Sequence, residues 1–212
     1  MNGVAIERVE NVKIVGLNID ESLSFSYHID YVKSRIIPFV AKLAKIRQYL
    51  SEQTALMLYY AHIYSHLIFM ISIWSVAPKF LTDTLGVIQR RALRIIFRKE
   101  RLSSNKELFN EKLLPFSSVV LFHQNLTIFK IKHSLFKNHV ALPIISETHD
   151  FNTRNRNNFL QPSMNSALSQ NDFYYRATRS FNNLPENVKK FHSIHIFKNK
   201  LKEYLYDSYI NE

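Results

Sequence analysis

The chain has 212 residues, enough for one domain or two small ones with a real core. Twenty-eight Lys and Arg against seventeen Asp and Glu leave a net charge of +11, which favours a polyanion such as nucleic acid or an anionic membrane surface as partner. With no cysteine and only three glycines, the composition excludes disulfide frameworks, Cys-based zinc sites and thiol catalysis, and argues against a Gly-rich nucleotide loop.

The first residues alternate. VAIERV and VKIVGLNI are short β-type runs separated at Glu10-Asn11, so residues 1–22 read as a β-hairpin or two edge strands. No basic-then-apolar signal pattern precedes them. From about His28 to Leu50, Ile36, Ile37, Val40, Leu43 and Ala44 share one helical side, with Arg35, Lys42 and Lys45 on the other. Pro38 should kink this helix or mark its true start. Ser51 is placed to cap a second helix.

That second helix lies in a run from Gln53 to Pro78 without Asp, Glu, Lys or Arg. Its length would span a bilayer, but Tyr59, Tyr60, His62, Tyr64, Ser65 and His66 are expensive in lipid, so a buried helix is the better reading.

A third helix should open near Thr82-Asp83. Leu85, Ile88, Ala92 and Ile96 share a face, with Ile95 at its margin. Arg90, Arg91, Arg94, Arg98 and Arg101 fall within about 100° of one another on the opposite side. A solvated face usually alternates sign to gain i,i+4 pairs, and here the only acid nearby is Glu100. The sign bias favours a surface that meets a polyanion over a merely solvated one.

Another helix is expected over Ser117–Lys137, its core side carried by Val119, Phe122, Leu126, Phe129 and His133. Asn, Ser, Pro and Thr then crowd residues 139–172, which read as a polar linker. FYYRATRSFNNL is a short helix ended by Pro185, and Ser193 caps a last helix with an apolar stripe of Ile194, Phe197, Leu201, Tyr204 and Leu205. The whole is mainly α: a hairpin over 1–22, a helical domain over 23–138, the linker over 139–172 and a C-terminal helical segment over 173–212.

Catalytic chemistry is hard to place. The six Asp are Asp20, Asp30, Asp83, Asp150, Asp172 and Asp207, with no Asp-Asp pair and no Asp-x-Asp spacing for a two-metal site. Asp20-Glu21 closes a β run, where a turn role is expected. His62 and His66 have a metal-sharing spacing but no third ligand nearby, so they read as helix-bundle histidines. No nucleophile elbow occurs.

Five stretches in order resemble the reverse transcriptases of non-LTR retrotransposons, especially jockey-like elements. VKIVGLNIDESLSFSYHIDYV is similar to the segment after the palm core, "LG-x-x-(I/L)-D…L-(S/T)-(W/F)…HI". IYSHLIFMISIWS is similar to "SHL-x-Y-G-I-x-x-W", and LGVIQRRALRIIF to "L-x-x-(I/L)-Q-(N/R)-(K/R)-A-(L/I)-R-I-I". HDFNTRNRNNF resembles "H-x-Y-x-T-R", and YRATRSFNNLPENVKKFHSIHIFKNKLKEYL resembles "Y-x-x-x-x-x-W-N-x-L-P-x-x-(I/V)-K…S-x-x-x-F-K-x-x-L-K-x-Y-L". Phe69-Met70 departs from the usual Tyr-Gly, and Phe181 from the usual Trp.

The resemblance implies the end of a palm, a helical thumb and a C-terminal segment of an RNA-directed DNA polymerase. The palm Asp-Asp motif that would hold catalytic Mg²⁺ is not in this sequence, so no enzyme activity and no cofactor are expected of it alone. The expected role is to bind template–primer nucleic acid, an RNA–DNA hybrid or duplex, by its phosphate backbone beside the fingers and palm. Arg90, Arg91, Arg94, Arg98, Lys99 and Arg101 are the main candidates, Arg35, Lys42 and Lys45 secondary ones. Arg154, Asn155 and Arg156 form a weaker basic loop, and Tyr174, Tyr175 and Arg176 a weaker stacking group. The alternative is a non-enzymatic helical protein held at a membrane through residues 54–77.

Overall fold

The computed structural model describes residues 8–110, 112–135, 142–148, 155–161, 163–170 and 172–211. The fold is mainly α, with an N-terminal two-stranded hairpin followed by helices. It forms two compact units, Met1–Ser103 and Ser104–Glu212. The expected 23–138 domain spans that division.

In the first unit, β1 (Asn11–Ile14) pairs antiparallel with β2 (Leu17–Asp20), with Val12 opposite Ile19. The turn falls at Val15-Gly16, not at Glu10-Asn11, which is a correction to the sequence reading; residues 4–7 lie outside the described residues. A two-residue turn of this hand needs φ > 0 at both positions; Val15 has φ 48 and Gly16 φ 87. Gly16 also faces Phe69, whose ring carbons would lie 3.4 Å from an added Cβ.

Asp20 ends β2 as a turn residue. Its buried carboxylate accepts the N–H of Ser24 at 2.9 Å and of Phe25 at 2.7 Å, and the hydroxyls of Ser22 and Ser24. Burial alone would raise its pKa, but these hydrogen bonds together outweigh burial and hold it below the usual carboxylate value. The carboxylate thereby fixes where α1 (Ser26–Ile46) begins. Within α1, Ile36, Val40 and Leu43 are buried as expected, joined by His28, Ile29 and Val32, while Ile37 and Ala44 stay exposed. Pro38 neither starts nor ends the helix. It sits on the exposed side, where water reaches the carbonyl that lost its partner.

A 3₁₀ turn, Arg47–Tyr49, follows, and Ser51 caps α2 (Glu52–Tyr59) by accepting the Thr54 N–H at 3.1 Å. The single long helix expected next is not formed. α2 runs through a π turn, Tyr60–Tyr64, into α3 (Ser65–Ile68), and the chain then breaks at Phe69-Met70 before α4 (Ile71–Trp74). Met70 has φ 50, a left-handed conformation that strains an L-residue. The buried Trp74 indole N–H donates to the Phe69 carbonyl at 2.7 Å, which satisfies the oxygen freed by the break. Among the described residues, no helix is long and apolar enough to cross a membrane.

α5 (Lys79–Phe97) opens earlier than Thr82-Asp83, because Pro78 takes the cap position with its fixed φ of −50. Its inward side is Leu85, Gly86, Gln89, Ala92, Leu93 and Ile96, with Ile88 half-buried. Gln89 donates to the buried Tyr59 hydroxyl at 3.0 Å, and burial pushes the Tyr59 pKa well up.

The second unit is built on α6 (Phe116–Lys132), which is shorter than the expected Ser117–Lys137; residues 136–137 lie outside the described residues. Val119, Phe122, Leu126 and Phe129 are buried and His133 half-buried. Within residues 139–172 the described parts hold two short helices, α7 (Ile145–Thr148) and α8 (Ala167–Gln170), and a bridge between Ile144 and Phe159.

Asp172 caps α9 (Phe173–Asn182) by accepting the Tyr175 N–H at 3.0 Å. Pro185 opens α10 (Glu186–Lys189), and α11 (Ile194–Asn211) closes the chain. Both α9 and α11 pack on α6. The core holds Phe129 stacked on Phe197 at 4.1 Å and Phe159 edge-on to Phe181 at 5.8 Å. Phe159 is clamped to α9: its N–H donates to Asn182 Oδ1 at 2.9 Å, and Asn182 Nδ2 donates to its carbonyl at 2.8 Å.

Candidate nucleic-acid interface

The 3.6-residue period places Arg91, Arg94 and Arg98 on one side of α5, and the way the helix ends adds two more cations. Arg98 has φ 53; its N–H donates to the Ile95 carbonyl at 3.3 Å, and the Lys99 N–H reaches back to the Arg94 carbonyl at 2.9 Å. This paired C-terminal cap normally places glycine where Arg98 stands. It reverses the chain, so Lys99 and Arg101 face the same space as the helical arginines.

The result is a cleft of about 930 Å³. Ala44 of α1 with Val87 and Ile95 of α5 give it apolar surface, and Arg91, Arg94, Arg98, Lys99 and Arg101 give it charge. None of its lining residues is a carboxylate. Arg91, Arg98, Lys99 and Arg101 are exposed; Arg94 is half-buried and donates from Nη2 to the Ser103 carbonyl at 3.3 Å. The helix C-terminus also favours cations, so part of this clustering serves α5 itself.

Other candidates stand apart. Arg90 is half-buried and lines no part of the cleft. Lys42 and Lys45 are exposed on α1 beside Ala44 in sequence, also outside the lining. Arg35 is one helical segment away, about 13 Å along the axis from Ala44. Its guanidinium lies 5.1 Å from the Tyr31 ring centre, and the Lys13 ammonium lies 4.8 Å from the same ring. A hydrogen bond from Arg35, with the charges of Arg35 and Lys13, outweighs burial and holds the Tyr31 phenol below its usual pKa.

Arg154 lies outside the described residues, while Asn155 and Arg156 are exposed and Tyr174, Tyr175 and Arg176 half-buried. His62 stacks on Phe39 at 4.4 Å, and His66 is lowered in pKa by burial, then by Arg35 and His62. Among the described residues, no group of three or more His, Asp or Glu could hold a metal ion.

Arg47 is a side chain of this region that periodicity alone does not single out. It is buried, donating from Nε to the Ile96 carbonyl at 2.8 Å and from Nη1 to the Leu50 carbonyl at 2.7 Å. It continues the buried stripe Ile36, Val40 and Leu43 at helical spacing, and a cation on an apolar stripe was the signal. Its position ties the end of α1 to the end of α5, where the cleft lies. Compared with protein-family models, curated proteins and solved structures, the chain matches none.

Proposed function

We propose that this chain holds nucleic acid by its phosphate backbone in the arginine cleft of α5, as the end of the palm, the thumb and the C-terminal segment of a jockey-like retrotransposon reverse transcriptase. The observation that carries the binding is the convergence of four guanidiniums and one ammonium on a cleft lined by no carboxylate. Guanidinium forks suit phosphate oxygens, and the Val87, Ile95 and Ala44 surface suits the apolar faces of sugars. Such contacts set position along a template–primer and carry no sequence preference.

Four positions of the resembling blocks have backbone-determining roles, and these support the polymerase reading. Gly16 makes the left-handed turn, Asp20 organises the start of α1, and Asn182 clamps Phe159. Most telling is Met70, which stands where the family pattern has glycine and adopts the left-handed backbone that glycine takes freely. In this reading Mg²⁺ and the chemistry belong to palm residues of the parent polymerase; among the described residues no metal-holding group occurs.

A fluorescence-anisotropy titration on duplex DNA and on an RNA–DNA hybrid tests the binding. Neutralising about five phosphates gives a slope of log K against log salt near −4.5 on duplex DNA. Changing Arg91, Arg94 and Arg98 to Gln together should weaken all sequences alike. A slope near zero, or loss for one sequence only, would overturn the proposal.

A further inference from the structure

We propose that the second unit carries a separate pocket that binds a phosphoryl group, formed where the end of α6 meets α10. The cavity measures about 360 Å³, at the small end of ligand cavities, which run to about 1,000 Å³. Lys132, His133, Lys189, Lys190 and His192 line it against one carboxylate, Glu186. That carboxylate is already engaged with Lys189 at 2.7 Å. Lys189 is a fixed charge: its side chain is 8% exposed, and it also donates to Asn158 Oδ1 and the Asn182 carbonyl at 3.2 Å each.

Lys132 supplies the second fixed charge. Its ammonium lies 5.6 Å from the Phe181 ring centre, half-buried. Burial lowers its pKa first and Lys189 lowers it further, with Glu186 acting the other way. Folding therefore gathers Lys132, Lys189 and Lys190 around one cavity with a single carboxylate, and an added anion offsets the remaining excess of positive charge.

His133 and His192 sit edge-to-face at 5.3 Å. Burial, then His192 and Lys132, keep His133 below its ordinary pKa, so it is neutral at pH 7 and able to gain a proton when an anion arrives. Ser146 and Asn157 add uncharged polar groups to the lining. Glu147, also in that segment, is exposed and accepts the Ile144 N–H.

The test uses the full chain, with histidine ring resonances followed by NMR as inorganic phosphate is added. Sulfate serves as a probe that stays doubly charged from pH 5 to 8. Saturable shifts are expected at His133 and His192 and not at His28 or His123, with the His133 pKa rising by about one unit. Lys132→Gln and Lys190→Gln should each weaken binding by about tenfold or more, with Lys132→Arg restoring it. An unchanged His123 resonance in each variant shows that the unit is still folded. Shifts that never saturate, shifts spread over all histidines, or wild-type binding by Lys132→Gln would overturn the proposal.

Short oligonucleotides, added in the Arg91, Arg94 and Arg98 to Gln background, identify the source of the phosphoryl group. Competition by 5′-phosphorylated strands only means a chain end, and by 5′-hydroxyl strands too means the backbone. Competition by neither, while phosphate saturates, means a free anion. All of these readouts are independent of the first unit's cleft.

Discussion

Arg47 and Ile96 are joined by a 2.8 Å hydrogen bond, guanidinium Nε to carbonyl oxygen, across 49 residues of chain. The same side chain holds the Leu50 carbonyl, so one buried cation closes the ends of two helices. Arg47→Leu keeps the bulk and removes both bonds, and about 2–4 kcal/mol of stability should go with them. Arg47→Lys should fall between the two in a denaturant titration. Equal stability of Arg47→Leu and the wild type would show that water replaces the guanidinium there.

Met70→Gly should stabilise the fold by about 0.5–1 kcal/mol, because glycine takes the left-handed break without Cβ strain. Met70→Ala keeps the Cβ and should bring no gain. A drop on Met70→Gly would mean that side-chain packing, not backbone strain, dominates at this break.

At Arg98, folding and binding are expected to separate. Glycine suits its left-handed cap, so Arg98→Gly should raise the denaturation midpoint by the equivalent of about 0.5–1 kcal/mol. The same change should weaken nucleic-acid binding and lower the salt slope by about one. Unchanged affinity would remove Arg98 from the phosphate-contacting set.

Acid should unfold the second unit through His123. Burial first, then Lys130, Lys198 and Lys202, press its pKa down from 6.5 to about 4. The unfolded chain thus binds the extra proton between those values, and stability falls as pH drops through that window. With the ring still partly reached by solvent, the loss is roughly 2 kcal/mol. His123→Leu should flatten the second unit's profile between pH 6.5 and 4, leaving a residual slope from His133, which is lowered chiefly by burial. An unchanged slope in a pH series of thermal melts would clear His123 of this role.

Much of the helical architecture was legible because it rests on period and capping. Ser51, the Val119–Phe129 stripe and the segregated arginines of α5 follow from residue spacing alone. What escaped depends on contacts distant in sequence or on backbone conformation carried by the wrong residue type. Glycine marks the hairpin turn at Gly16, but the matching position Val15 disguises it. Met70 hides a chain break inside an uncharged run, which therefore reads as one helix. Gln89 and Arg47 sit on apolar stripes only because Tyr59, Leu50 and Ile96 supply partners. Within the cleft, Arg91, Arg94, Arg98, Lys99 and Arg101 were foreseen as a set; Ala44 opposite them, and the absence of Arg90, required the packing of α1 on α5.

The Asn182 clamp bears on how the polar stretch around Phe159 can diverge among descendants. A carboxamide that reads both main-chain groups of residue 159 asks nothing of side-chain identity there beyond an apolar body for the core. Substitution can therefore drift on the stretch, whereas at 182 even the isosteric aspartate forfeits a donor. Mutational tolerance should be lopsided, broad on one side of the contact and nearly nil on the other.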